Sequence, residues 1–333
     1  MVSLTLKKSP FARNRLLRDA SWKAVYDAMA EDASVHVFGE GAEVKAHYDA
    51  PRIESDFPDR VHTLPIAEDG SVNFAVGASL LGVKPLVDII SADFLYRAMD
   101  SICNTAAKLD FTTRQEHTIV VRAEFLVGGP TTGQRPEALF AHIPGLRVVI
   151  PSTPRDSYGL MRTALATPGV TLFFEDRMIE DDGFFTKDDF RVGERVPFGS
   201  ASYRRMGQRG TATILTYGVM RQRVETLLKS WSKGDPYREP NLDCGIVDLR
   251  SICPVDWDGL HYALKRQGML LIVEPDVAYG GVGAEIAAHI AEEIPHIHVK
   301  RLGARRTTTP AATSLHGQVL PTDEEIARAI TDL

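Results

Sequence analysis

Few residues in this chain have the spacing of a ready-made catalytic set, and one acid stands apart. Glu68 lies in RVHTLPIAEDGSVNFAVGASLLG (60–82), between an apolar stretch and small and apolar residues that read as a buried helix. A carboxylate there is either a helix-start residue, favoured by the N-terminal dipole, or a buried functional acid tuned by its surroundings. Spacing alone leaves both open. GGVGAEI (280–286) follows the strand-like MLLIVE (269–274), as a phosphate-cradling turn would. Its glycines, at 280, 281 and 283, miss the G-x-G-x-x-G spacing, and a tight strand-to-helix turn explains them. No Walker, H-E-x-x-H or G-x-S-x-G motif occurs, and Cys103, Cys244 and Cys253 are too scattered for a metal site or a disulfide framework. The expectation is therefore no metal site of the chain's own, with reduced thiols in a cytoplasmic protein.

These residues need elements to hold them, and the pattern supplies an alternating series. SVHVF (34–38), VKPLVDII (83–90), TIVVR (118–122), RVVIP (147–151) and VTLFFE (170–175) read as strands. Several are continuously apolar, the type buried on both faces of a parallel sheet. Helices are expected near 22–30, over 74–82, over 157–167 and over FLYRAMDSICNTAAKL (94–109), where Leu95, Met99, Ile102 and Ala106 recur at helical spacing. Residues 176–208 carry DDGFF, KDDF and RRMGQRG and read as a linker, with a hairpin as an option. A second series follows: strands 211–217, 244–249, 269–274 and 296–302, with helices 219–231, 257–266 and 280–294 and a last one, 323–330, capped by Thr322 or Asp323.

The fold class is α/β in two domains, divided as 1–185, a linker 186–208, and 209–333. The chain has 333 residues, 44% hydrophobic and 25% charged, with a net charge of −6. That excludes global disorder and gives no field favouring nucleic acid or an anionic membrane. No run approaches the length of a spanning helix.

The stretches LPIAED, ISADFLYRAMDSICNTAAKL, GQRPEALFAHIPGLRVVIPSTPRDSYGLM and FFEDR, with VDLRSICPVDWDGL and VEPDVAYGGVGAEIAAHIAE in the second half, resemble the β subunits of thiamine-diphosphate-dependent 2-oxo acid dehydrogenases. These are the decarboxylating components of the pyruvate, branched-chain and acetoin complexes. The resemblance runs in order over roughly residues 20–300. It implies a pyrimidine-binding domain followed by a transketolase C-terminal-like domain, a 2-oxo acid substrate, and thiamine diphosphate shared with an α subunit in an α₂β₂ assembly. A lipoyl transacylase is a candidate further partner, and a structural K⁺ is left open.

The resemblance also assigns residues. Glu68 takes the place of the acid that hydrogen-bonds N1′ of the cofactor's aminopyrimidine and favours the tautomer able to deprotonate C2. Ile66 and Ile90 fall at positions beside that ring, and Phe94 at an aromatic that packs on it. Glu40 and Asp88 match acids that join Glu68 in a proton tunnel between two active sites; the alternative is two solvated strand-end carboxylates. Thr132 stands where relatives carry a proton-handling histidine, and threonine has no general acid–base capacity near neutral pH. His62 and His117 are substitutes to consider; His142 reads as structural. Ile90 replaces a polar amide usual in relatives, and Arg305 and Arg306 in LGARRTTTPAATSLHG are extra basic residues. No Gly-Asp-Gly segment for Mg²⁺-diphosphate binding exists, so that half, Mg²⁺ included, is assigned to the α subunit. The leading function is the β subunit of a decarboxylating 2-oxo acid dehydrogenase. The alternatives are a carboligase subunit without a lipoyl acceptor and a non-catalytic partner of an α-type chain.

Overall fold

The computed structural model describes residues 15–40, 53–126, 128–179, 191–205, 212–232, 244–265, 267–316 and 318–332. The basic leader and most of the acidic part of the linker fall outside them.

The apolar runs of the first half form a sheet with the order β10-β5-β6-β4-β3-β1-β2. Here β1 is Val35–Glu40, β2 Val61–Leu64, β3 Lys84–Ser91, β4 Thr118–Phe125, β5 Leu146–Val149 and β6 Gly169–Asp176. All of these pair in parallel. β4 sits in the middle and every one of its residues is buried, as expected for a strand covered on both faces. The pleat sorts the side chains. Val37, Leu86, Val120 and Phe173 pack with Trp22, Val25 and Met29 of helix Arg15–Glu31 and with Tyr158 and Met161 of helix Pro154–Ala166. Phe38, Val87, Ile89 and Val121 face the other way, onto Val72, Ala75 and Val76 of helix Glu68–Leu80.

The second sheet has the order β12-β11-β8-β9-β7, from β7 Ser202–Arg205, β8 Ala212–Thr216, β9 Cys244–Asp248, β11 Met269–Val277 and β12 His298–Ala304. It is parallel except for β7, which runs antiparallel to β9 at the edge. The remaining strand, β10 (Ser251–Cys253), leaves this half and joins the first sheet antiparallel to β5. One continuous apolar cluster includes Val121 and Phe174 of the first sheet and Leu215, Ile272 and Ile286 of the second half.

Helix Val282–Glu293 explains the glycines before it. A Cβ on Gly281 would stand 2.5 Å from the Val277 carbonyl, and one on Gly283 would stand 2.6 Å from Glu274 Oε1. The Glu274 carboxylate accepts the Gly283 N–H at 2.8 Å, so the helix start already holds an acid and the glycines serve close packing. The last helix, Asp323–Thr331, is capped by Thr322 in a capping box with Glu325.

One expected element differs. Residues 92–113 form no single α-helix but a 3₁₀ turn (Ala92–Tyr96), a π turn (Ser101–Thr105), a second 3₁₀ turn (Ala106–Lys108) and a short α-helix (Leu109–Thr113). The changes of pitch keep Leu95, Ala98, Ile102 and Ala106 all buried while Ser101 turns its hydroxyl to Asp69 on the neighbouring helix. The segment ends against Gly145, which has φ +92° and no room for a side chain: a Cβ would lie 2.1 Å from the Ala107 carbonyl oxygen. Gly145→Ala is expected to cost about 1–3 kcal/mol, read as a lower denaturant midpoint at unchanged slope.

Candidate active site

Two carboxyls converge where β1 ends and helix Glu68–Leu80 begins. Glu68 opens the helix, is buried at 5% exposure, and sits where the dipole favours an anion. Glu40, the last residue of β1, is also buried; its carboxylate accepts the Ser71 hydroxyl at 3.3 Å and the backbone N–H of Ala67. Glu40 thus grips Ala67, just before Glu68, and Ser71, one helical turn after Ala67. Burial and then the neighbouring Glu68 push the Glu40 carboxyl up to about 7, with a smaller contribution from Asp88.

The mouth of this acid pair is apolar. Ile66 is 75% exposed on the approach to Glu68, and Phe74, six residues beyond Glu68 on the helix, is 54% exposed and tilts onto Phe38. Phe94 is half-buried in its 3₁₀ turn, and that turn is linked to the acid: Arg97 donates its backbone N–H to the Phe94 carbonyl and brings Nε within 3.3 Å of Glu68 Oε2. Ile90 is half-buried near the end of β3. Thr132 sits in a loop fastened to the residue before Phe94: Asp93 accepts the N–H groups of Gly133 at 3.1 Å and Gln134 at 2.8 Å. The Thr132 hydroxyl donates inward, to the Gly128 carbonyl.

Of the two substitute histidines, His117 is remote and His62 borders the aromatic residues at the mouth. His117 precedes β4 and binds the Thr113 hydroxyl and the Ser79 carbonyl, at the end of helix Glu68–Leu80 opposite Glu68. Thirteen helical residues separate those ends by about 18 Å, so His117 is no replacement for a catalytic histidine. His62, on β2, stacks on Phe38 with centroids 4.7 Å apart and shares a hydrogen bond of 3.0 Å with His36.

Asp88 also sits apart from the pair. It is the register partner of Arg122 on β4, and Arg122 Nη1 lies 2.7 Å from its Oδ1. The same guanidinium reaches Glu124 at 2.7 Å and Glu175, and stands over the Trp22 ring. Burial alone would raise the Glu124 carboxyl, but Arg122 and Arg177 hold it below its ordinary range.

Sequence reading missed this network, although an arginine in the otherwise apolar TIVVRAEF was its visible sign. It also missed the strap after β12. The Ala311 carbonyl accepts the Gly129 N–H at 3.0 Å and the Thr309 hydroxyl donates to the Gly133 carbonyl at 3.2 Å, so the second half holds the Thr132 loop. A cavity of about 210 Å³ lies between the halves behind that loop, lined by Tyr96, Gln134, Arg135, Asp276, Arg305 and Thr307 among others.

The comparisons with known proteins agree with this architecture. Residues 15–179 match the transketolase pyrimidine-binding domain and residues 201–326 the transketolase C-terminal domain. The pyruvate dehydrogenase E1 component subunit beta of Rickettsia felis is 30% identical over 325 residues, 94% of this chain and 96% of that one. The 2-oxoisovalerate dehydrogenase subunit beta of Bacillus subtilis is 32% identical over 290 residues, 82% of this chain and 83% of that one. Among solved structures, a split-gene transketolase seen as an inactive beta4 tetramer superposes with a TM-score of 0.80 at 20% identity, over 95% of this chain and 97% of that one, and so shares the fold. By sequence over nearly its whole length, the chain belongs to the family of β subunits of the 2-oxo acid dehydrogenase E1 components.

Proposed function

We propose that this chain supplies the pyrimidine-side half of a thiamine-diphosphate active site, completed by an α-type subunit, and that the enzyme decarboxylates a 2-oxo acid. The observation that carries the reading is Glu68: a buried carboxyl at a helix start, opening onto the exposed apolar Ile66. That donor set fits an aminopyrimidine, with an acid for N1′ and apolar surface from Ile66 and Phe94 for the ring. When bound, the cofactor supplies a carbon acid at C2 that stores the electrons released by decarboxylation. Glu68 would hold the proton at N1′ of the bound cofactor, with Glu40 buried beside the same helix start. We assign Mg²⁺ and the diphosphate to the partner, because the sequence has no Gly-Asp-Gly segment.

The acceptor is the less constrained half of the reading. Thr132 has no general acid–base capacity near neutral pH, and its hydroxyl is turned into its own loop. This favours a carboligase over transfer to a lipoyl transacylase, whereas the similarity to dehydrogenase subunits favours the transfer. The family position of Glu68 weighs against a non-catalytic partner. A cytoplasmic location is supported by cysteines that stand as thiols rather than disulfides. No helix among the described residues is long and apolar enough to cross a membrane.

The reading is tested by co-expressing the chain with its α-type partner and screening 2-oxo acids for carbon dioxide release, with and without aldehydes. No carbon dioxide release from any 2-oxo acid tried, with or without aldehydes, from a complex that binds thiamine diphosphate would place the enzyme in another class. The chain alone is expected to bind thiamine diphosphate more weakly than micromolar, about −8 kcal/mol. Calorimetry in the presence of Mg²⁺ checks this, and tight stoichiometric binding without a partner would mean the diphosphate half is here after all.

A further inference from the structure

The cavity behind the Thr132 loop, about 210 Å³, has the space of roughly seven waters. Its walls come from both halves. Gln134 and Arg135 follow Thr132, Tyr96 lies two residues after Phe94, and Asp276 and Thr307 come from β11 and the strap. Arg135 is fixed from behind. It donates Nε to Glu137 at 2.9 Å and Nη1 to Asp176 at 3.0 Å, and its guanidinium stands over the Phe125 ring, 3.8 Å from the centroid. Its Nη2 is buried without a partner among the described residues, in a side chain only 9% exposed. The side chains of Tyr96, Gln134 and Thr307 likewise have no hydrogen-bond partner among the described residues. Tyr96, Arg305 and Thr307 are exposed and mark the open side of the cavity, with Arg135 at the buried end.

We propose that this cavity binds a short-chain carboxylate, and that the bound anion pins the Thr132 loop to the strap of the second half. What binding does for catalysis rests on the active-site reading above; the binding itself does not. Four groups able to donate hydrogen bonds, on Tyr96, Gln134, Arg135 and Thr307, line one small space. A neutral carbonyl oxygen offers them two lone pairs and a carboxylate about four. A buried donor left without an acceptor is costly, which weighs against an empty cavity. Water answers the donors but not the rest of the wall. Phe125, Val277 and Leu320 line the same space, and a hydrocarbon tail covers them better than water does. The charges also suit an anion. Arg135 and Arg305 are the cations of the wall, and Asp276 is its one acid. Burial, and then Glu137, push the Asp276 carboxyl up to about 8, so near neutral pH it carries a proton and is a further donor. The loop and the strap already meet through Thr309 and Gly133. An anion shared by Gln134, Arg135 and Thr307 adds a second link between the same two segments.

Isovalerate is the probe. It has the charge and the tail but lacks the 2-oxo group of a substrate, so an error in the assigned reaction would leave the result unchanged. Calorimetry on the full-length chain, without partner or cofactor, is expected to show saturable binding of one isovalerate per chain. Isovaleramide, with the same tail and no charge, is expected to bind about tenfold more weakly or worse. Gln134→Leu and Thr307→Val each remove one donor from outside the buried core, and each is expected to weaken isovalerate binding by about tenfold. The Gly129 amide, which donates to the Ala311 carbonyl of the strap, is expected to exchange its hydrogen more slowly as isovalerate saturates. Three results overturn the proposal: no saturable binding, as for a cavity that holds only water; equal binding of isovaleramide, as for a pocket indifferent to charge; or full affinity in both variants, as for an anion seated elsewhere. Binding that leaves Gly129 exchange unchanged overturns the pinning of the loop.

Discussion

Glu68→Gln, in the complex with the α-type partner, is expected to slow hydrogen–deuterium exchange at C2 of thiamine diphosphate by about 10²–10⁴-fold, the usual reach of acid–base assistance. The change is isosteric and the fold should not register it. Glu68 opens its helix without a side-chain cap to lose, and its one ion pair is with an arginine that is 76% exposed. Pairs of that kind contribute little to stability. What glutamine cannot do is hold a proton at N1′ and release it. Carbon dioxide release should fall in step with exchange if C2 deprotonation limits turnover. Thr132→Ala, by contrast, should leave exchange nearly unchanged, because the hydroxyl is spent on the Gly128 carbonyl. If Glu68→Gln exchanged as fast as wild type, the pyrimidine-side assignment would be wrong, and a non-catalytic partner would become the better reading.

The second large effect concerns stability. Arg122→Met should destabilise the chain by about 3–5 kcal/mol, the cost of stripping one partner from a buried ion network. Three buried carboxyls, Asp88, Glu124 and Glu175, would lose their common cation, while Arg177 would still reach Glu124. Methionine fills much of the space but satisfies no acid. The loss should be partly reversible by protonation, since uncompensated buried carboxyls bind protons more tightly in the folded state than in the unfolded state. The deficit relative to wild type should therefore shrink as pH falls toward 5 and grow toward 8, where the acids must ionise without Arg122. Urea midpoints at several pH values measure this. A pH-independent deficit would point to lost packing on Trp22 rather than to charge.

The longer strands of both sheets were legible because their runs are apolar and β-branched, whereas the short β2, β7 and β10 carry no such run and were not read as strands. TIVVRAEF and GVTLFFED are buried nearly throughout, as such runs require. Glu68 was legible as an acid between an apolar turn and a buried helix, but its partner Glu40 needed the family pattern, because VFGE alone says only that a strand ends. The irregular helix over 92–113 was not legible: its apolar spacing is helical, and the pitch changes answer to tertiary contacts such as Ser101 with Asp69. The facing of Asp88 could have been read from VDII, where it alternates with two apolar residues. What could not be read was that the opposite face would be charged too, since Arg122 and Glu175 lie 34 and 87 residues further along the chain. The strap of residues 305–311 on the Thr132 loop joins segments still further apart and carries no local signature.

The short β10 has a consequence for how the two halves can be separated. A chain ending at the linker would leave the free edge of β5 as a row of unpaired amide and carbonyl groups beside Val148 and Val149. Such an edge is sticky toward any extended peptide. In the whole chain the second half closes it with its own three residues. The halves are therefore not interchangeable modules, and during synthesis the first must wait after Asp176, with one open side, until Ser251–Cys253 has followed before its outermost seam is sewn shut.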